Sequence, residues 1–231
     1  HSKALTGYVG FKGSGAEVHG NSGIDIALWD IWGRATNQPI YQLLGGASRD
    51  AIRVYNTCAG YQFVRYQVKQ STDCFNLPGN NFEGPYENLE AFLNHADELA
   101  LSLLGMGLTE MKIWPFDCAA EASGGHYISP TELDRALEPF SKIRDAMGSK
   151  IDIMVELHAF WDLPQAKKIA RAVEPVEPYW FEGPIKMSNL NSLKEFKDAT
   201  RIPTTASETI GMRGEFRELL ELQACDFVMY D

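Results

Sequence analysis

The chain has 231 residues, 45% of them hydrophobic and 23% charged, a balance that suits a folded protein with a sizeable core and excludes a disordered one. Its formal net charge of -10 repels nucleic acid and anionic membrane at long range, so neither is expected as a partner, and a small anionic ligand must be captured by a local positive centre. Cys58, Cys74, Cys118 and Cys225 form no CxxC pair and no apolar run approaches the ~20 residues of a membrane span, so free thiols and a cytoplasmic location are expected.

Residues 1 to 22 are rich in glycine and carry no start-like feature. From Ser22 onward Ile24, Leu28, Ile31 and Trp32 recur at helical spacing, with Asn21 or Ser22 placed to cap the helix. Pro39 breaks the chain before a short helix over 40–44, which stops at Gly45 and Gly46 and marks a domain junction. Arg53 to Thr57 reads as a first strand, and the polar, aromatic stretch over 60–85 as a long loop of the kind that covers a substrate. Helical spacing covers 89–104. Glu110 to Trp114 is a second strand, with Lys112 and Trp114 on one face by the two-residue alternation. A glycine-containing loop over 115–129 leads to Pro130, which suits the first turn of a helix over 131–147. Asp162 is placed to cap a helix with Pro164 in its first turn, running to about Ala172, and further helices are predicted over 189–199 and 212–222.

Between these helices lies a repeating pattern. The run Ile151 to Val155 ends at Glu156, the run Pro178 to Phe181 ends at Glu182, and the run Ile202 to Ser207 ends at Glu208, so the three acids stand 26 residues apart in turn. Asp231 follows 23 residues later, at the end of the run Asp226 to Tyr230. Strand, acid, loop and helix repeated at this interval is the unit of a parallel βα barrel, whose strands converge at their carboxyl ends where chemistry is carried out. Counting Arg53, Met111, Ile153, Phe181, Thr205 and Val228 as centres gives six strands, two short of closure, so the chain is read as part of a longer polypeptide.

One glutamate after one strand is an ordinary helix-entry acid, favoured by the positive end of the helix dipole. Three at equal spacing, each directly after a β-like run, point to a shared site. Three carboxylates cannot sit together ionised without compensating charge, and an oxygen-seeking divalent cation, Mg2+, resolves the repulsion. His158, two residues past Glu156, projects from an extended chain toward the same cavity, with a structural histidine as the alternative. Lys112, flanked by Met111 and Ile113, is placed at the barrel mouth, with a surface lysine as the alternative; Asp231 reads equally as a loop acid. Trp114, Trp161 and Trp180 are assigned to packing, and His19, His95 and His126 are assigned nothing.

The acid spacing, together with Ala27 to Gly33 (ALWDIWG), Leu43 to Gly46 (LLGG) and Trp180 to Pro184 (WFEGP), resembles the enolase superfamily, most closely its mandelate racemase and acid-sugar dehydratase branch, over nearly the whole chain. The resemblance implies an α/β fold in which residues 1–46 are the carboxy-terminal helices of an α+β capping domain. Residues 47–231 would then be strands one to six of an incomplete TIM-type βα barrel. It implies Mg2+ bound by Glu156, Glu182 and Glu208, and Asp231 paired with a histidine on the seventh barrel strand, which maps onto nothing among the 231 residues. The second barrel strand of the family often carries Lys-x-Lys; here it reads Lys112-Ile113-Trp114, so the first lysine alone is kept. The doublet Glu-Glu-Pro reads Glu182-Gly183-Pro184, and Glu156 stands where aspartate is commoner. His158 is similar to the galactonate dehydratase arrangement, where a histidine in this place acts as the acid.

The activity so implied is Mg2+-dependent dehydration of a sugar acid of aldonate type. The proton next to the carboxylate is removed, the enediolate is stabilised by the metal with Lys112 adding a positive contact, and His158 protonates the departing β-hydroxyl. Such sites with a lysine or histidine base are a standard case of pKa tuning. A small-molecule carboxylate is therefore the expected partner, and the full-length protein is expected to be a homo-oligomer. A racemase or epimerase on the same scaffold, a glycoside hydrolase using two of the carboxylates, and a catalytically incomplete fragment kept for binding or assembly are the competing readings.

Overall fold

The computed structural model of the chain describes residues 16–60 and 88–230. Most of the expected covering loop over 60–85, and Asp231, lie outside the described residues. The described residues divide into two compact units, one formed by 16–53 with 208–218 and Tyr230, the other by 54–60, 88–207 and 219–229.

In the first unit, α1 (Ala16–Thr36) begins ahead of the expected start at Ser22 and is followed by α2 (Ile40–Leu43). The chain reverses between them by close backbone approach: Gln38 N donates to Gly33 O at 2.9 Å, and a Cβ on Gly33 would meet that residue's carbonyl at 2.8 Å. Gly45 and Gly46, at φ of 116° and 98°, then end α2 in a conformation costly to any residue with a Cβ.

The second unit is built on a parallel sheet. After α3 (Asn88–Asn94) and α4 (Ala96–Gly105), the elements of this unit run β1 (Glu110–Ile113), α5 (Asp117–Ser123), α6 (Pro130–Met147), β2 (Asp152–Glu156), α7 (Leu163–Val173), β3 (Trp180–Glu182), α8 (Leu190–Lys197), β4 (Thr204–Ala206) and β5 (Phe227–Val228); α9 (Arg213–Glu221), between β4 and β5 in the chain, lies in the first unit up to residue 218. The strands neighbour one another in chain order, all parallel. A doubly wound sheet would reverse that order at a switch point, so the winding is that of a βα barrel.

The strand expected around Arg53 shrinks to a single bridge. Asn56 N donates to Glu110 O at 3.1 Å and Asn56 O accepts from Lys112 N at 2.8 Å. Asn56 then caps its own continuation, since its Oδ1 accepts from Cys58 N at 2.7 Å while Cys58 turns to φ 53°. The helix expected over 89–104 is broken at His95, and the expected loop over 115–129 contains α5, which stops at left-handed Gly124. Ser129 and Glu132 form a reciprocal capping box at the head of α6, and Asn189 caps α8 by accepting from Asn191 N and Ser192 N.

Met111, Ile113, Ile153, Val155 and Phe181 are wholly buried, as are Phe140, Ile143, Ile169, Val173 and Phe196 on the helices. Phe181 meets Phe196 edge to face at 5.8 Å and Phe116 stacks on Phe140 at 6.0 Å. Each such side chain stabilises by about 1.5–3 kcal/mol, which holds the strands in register and the carboxyl ends of β1, β2 and β3 level. Among the described residues no helix is long and apolar enough to cross a membrane.

Candidate active site

Register brings the chemistry together. Lys112 pairs with Met154 across β1 and β2, and Glu156 pairs directly with Glu182 across β2 and β3, so lysine and acids lie at the carboxyl ends of three adjacent strands. Lys112 Nζ donates to Glu156 Oε2 at 2.9 Å and to Glu182 Oε1. The three side chains are buried, at 7%, 2% and 3% exposure, so their charges compensate one another rather than being screened by water. Trp180 Nε1 donates to the remaining Glu182 oxygen at 3.2 Å, and Lys112 Nζ lies 5.3 Å from the centre of the Tyr55 ring, within cation–π range. Trp180, expected to pack only, thus also holds an acid.

This crowding separates the two acids. Burial pushes Glu182 upward and the Glu156 charge beside it adds to the effect, so that its carboxyl titrates at about 8. Burial opposes ionisation of Glu156 too, but the Lys112 ammonium and the hydrogen bond with Glu182 outweigh it and bring Glu156 down to about 2. Burial likewise opposes the charge on Lys112, and the two glutamates overcome it and raise its pKa. Lys112 is therefore held as an ammonium between the two acids.

His158 reaches the site by a different route from the extended chain expected of it. Leu157 N still donates to Glu182 O at 3.0 Å, but His158 and Ala159 then turn left-handed, at φ of 49° and 55°. His158 N donates to Glu156 Oε1 at 2.8 Å, Ala159 N donates to Gly183 O at 2.7 Å, and the imidazole swings against Trp114, edge to face at 5.2 Å. Its Nδ1 lies 2.8 Å from Oδ2 of Asp117, the first residue of α5. Burial lowers the imidazole pKa, and Asp117 more than restores it, so His158 titrates above an ordinary histidine. Burial raises Asp117, against the opposing pull of His158.

Two glycines permit this turn. A Cβ on Gly183, at φ 49°, would stand 3.1 Å from Ala159 N and 3.2 Å from Glu156 Oε1. Any side chain there would be strained by that φ and would press on these atoms, which suits the glycine of Glu182-Gly183-Pro184. A Cβ on Gly125, at φ 81°, would meet Phe160 O at 2.0 Å. His126, to which no role is expected from sequence, bonds through Nδ1 to Asp162 Oδ2, and Lys186 Nζ approaches Asp162 Oδ1 at 3.4 Å, which links the loops after β1, β2 and β3.

The structure brings Lys112, Glu156, Glu182 and His158 into one place. Glu208 is exposed after β4 and belongs to the first unit, and Asp231 lies outside the described residues. Among the described residues no three His, Cys, Asp or Glu side chains form a metal-holding group. The Glu156 and Glu182 pair nonetheless suits a small hard cation: both donors are buried carboxylates and they already compensate one cationic group. Asp117 and Gly183 are the residues that sequence reasoning missed. Asp117 carried no signal inside an expected loop; the Gly183 departure was visible, but its reason was not.

Parallel strands wound in chain order, with a lysine and paired acids at their carboxyl ends, define a protein of βα-barrel type. Residues 95–231 match the family described as enolase C-terminal domain-like, and residues 7–45 match the N-terminal domain of mandelate racemase / muconate lactonizing enzyme. The chain belongs to the mandelate racemase and muconate lactonizing enzyme family of the enolase superfamily.

Among curated relatives, the D-galactonate dehydratase of Variovorax paradoxus is 28% identical over 211 residues, 91% of this chain and 46% of that protein. The D-gluconate dehydratase of Thermoproteus tenax is 28% identical over 179 residues, 78% of this chain and 30% of that protein. A crystal structure of an enolase of the mandelate racemase subgroup from Agrobacterium tumefaciens superposes with a TM-score of 0.79 at 49% identity, covering 100% of this chain and 53% of that one. An enolase from Sargasso Sea environmental sequencing does so with 0.81 at 38%, covering 100% and 54%. The chain thus spans about half the length of most of the relatives it matches.

Proposed function

We propose that the protein is a Mg2+-dependent dehydratase of an aldonate-type sugar acid. The observation that carries this reading is the buried Lys112, Glu156 and Glu182 cluster beside a histidine held by a carboxylate. The dehydratase names of the relatives support it.

In this mechanism Glu156 and Glu182 would hold Mg2+, which would supply the positive charge that an enediolate requires. Lys112, fixed as an ammonium by the same two acids, adds a second positive contact to the substrate carboxylate. The base removes the proton next to that carboxylate; by the family resemblance it is a histidine paired with Asp231. The electron pair left on carbon expels the β-hydroxyl, which takes a proton from His158 and leaves as water, and the resulting enol becomes a 2-keto-3-deoxy acid. A racemase needs a base on each face. Lys112-Ile113-Trp114 lacks the second lysine that would supply one of them, which favours dehydration over epimerisation.

The test incubates the expressed protein with D-galactonate, D-gluconate and related aldonates in D2O with Mg2+. A 2-keto-3-deoxy acid is expected, lost on chelation and in Glu182→Gln. Deuterium at the α-carbon without keto acid would indicate an epimerase, and turnover that survives a chelator would overturn the metal-dependent reading altogether. Isothermal titration is expected to give weaker Mg2+ binding in Glu182→Gln than in the parent protein.

A further inference from the structure

We propose that Asp117 is a positioning residue for His158, accepting from Nδ1–H so that Nε2 is the nitrogen that meets the substrate: it carries the second proton while the ring is an imidazolium, and the neutral ring left after that proton is given keeps its hydrogen on Nδ1. The Nδ1 to Oδ2 distance is 2.8 Å, and among the described residues Nε2 has no hydrogen-bond partner. Asp117 is 0% exposed, while the histidine side chain keeps 35% of its surface open, so the pair has one sealed end and one accessible end.

Packing does not account for this aspartate. Its second oxygen, Oδ1, is buried and finds no hydrogen-bond partner among the described residues. A sealed carboxyl with one satisfied oxygen is less stable than an apolar side chain of the same size. Nor does it serve α5, since no side-chain cap bond forms at that end of the helix. What Asp117 does is fix an otherwise free ring. The left-handed turn at His158 sets the backbone through His158 N and Glu156 Oε1, and Trp114 and Phe160 border the ring at 5.2 and 5.7 Å, but neither aromatic decides which nitrogen carries the proton. A carboxylate acceptor at Nδ1 does decide it, as orienting acids do for histidines in other active sites.

The inference rests on the dehydratase reading only for the step that His158 performs. The test pairs Asp117→Leu, which removes the acceptor and keeps the volume, with Asp117→Asn, whose amide oxygen can still accept from Nδ1. Long-range 1H–15N spectra, taken where the ring is neutral, report the tautomer independently of turnover. The parent protein and Asp117→Asn are expected to show Nδ1–H, and Asp117→Leu to shift toward Nε2–H. In Asp117→Leu, kcat for dehydration falls on the order of 10²-fold or more while KM stays within about 3-fold, and thermal stability is kept. An Nε2–H ring in the parent protein, or a tautomer unchanged in Asp117→Leu, overturns the proposal; should Asp117→Leu not fold, loss of Nδ1–H in Asp117→Asn overturns it equally. A tautomer that follows residue 117 in a protein that dehydrates no sugar acid upholds the pairing and overturns the dehydratase reading.

Discussion

Lys112 shows how much one side chain can determine. Its ammonium touches both buried acids, so removing it leaves two carboxyls facing each other with no counter-charge. Lys112→Met is expected to destabilise the fold by about 3–5 kcal/mol near pH 8, and by less at pH 5 where protons can replace the lost ammonium, as read from urea unfolding at the two pH values. Gly183 is a second such point. Its φ of 49° strains any residue with a Cβ, which would also press on Ala159 N and Glu156 Oε1, so Gly183→Ala should cost about 1–3 kcal/mol, a fall of several degrees in Tm. Equal stability of Gly183→Ala and parent would show that the turn at His158 can relax. The acids themselves were legible in sequence as an interval. The positions of Asp117 and Gly183 were not, because what they do is set by atoms 41 and 24 residues away, on His158 and Ala159.

At the scale of elements, the loops carry more of the order than the strands. Arg144, near the end of α6, donates to Val176 O at 2.8 Å, to Gly148 O at 2.9 Å, to Ile151 O at 2.7 Å and to Glu177 O at 3.2 Å, pinning the start of β2 to the turn before β3. Arg144→Ala leaves these carbonyls short of donors and is expected to destabilise by about 1–3 kcal/mol in chemical denaturation. Asp162 behaves otherwise. It occupies the cap position of α7 as expected, yet its side chain makes no cap bond and turns to His126 and Lys186. Because those partners are largely exposed, Asp162→Asn should cost less than about 1 kcal/mol, and a loss as large as that of Arg144→Ala would contradict this ranking. Helix positions were legible from periodicity and from Pro130, whereas the caps that Ser129 and Asn189 form were not read from the sequence. The short α5 was not, because seven residues hold too few turns for a periodic signal.

For the molecule as a whole, pH couples the site to stability. Glu182 titrates at about 8 in the folded protein against an ordinary value of 4.5, so the folded state keeps a proton that the unfolded chain releases. The stability this provides is complete below about pH 4.5 and is lost as pH rises through about 8. His158 and Asp117, both raised, act in the same direction. Glu156, lowered to about 2, contributes above 4.5 and loses that contribution only in strong acid. Tm is therefore expected to decline from pH 5 to pH 8.5, and added Mg2+ to recover more stability at the upper end, where Glu182 is free of its proton. Calorimetry showing a flat or rising profile would contradict the assignment of Glu182.

The order of the strands, the family and the interval of the acids were determined by the sequence alone, because they depend on period and chain order, which a linear pattern records; that Glu156 and Glu182 pair while Glu208 stands exposed was not. Tertiary structure decided which charge compensates the acids, how His158 turns back on them and which residue holds its ring. Those outcomes depend on distances across neighbouring strands and loops, where a buried charge is stable only beside its partner, and no local run of residues encodes that partner.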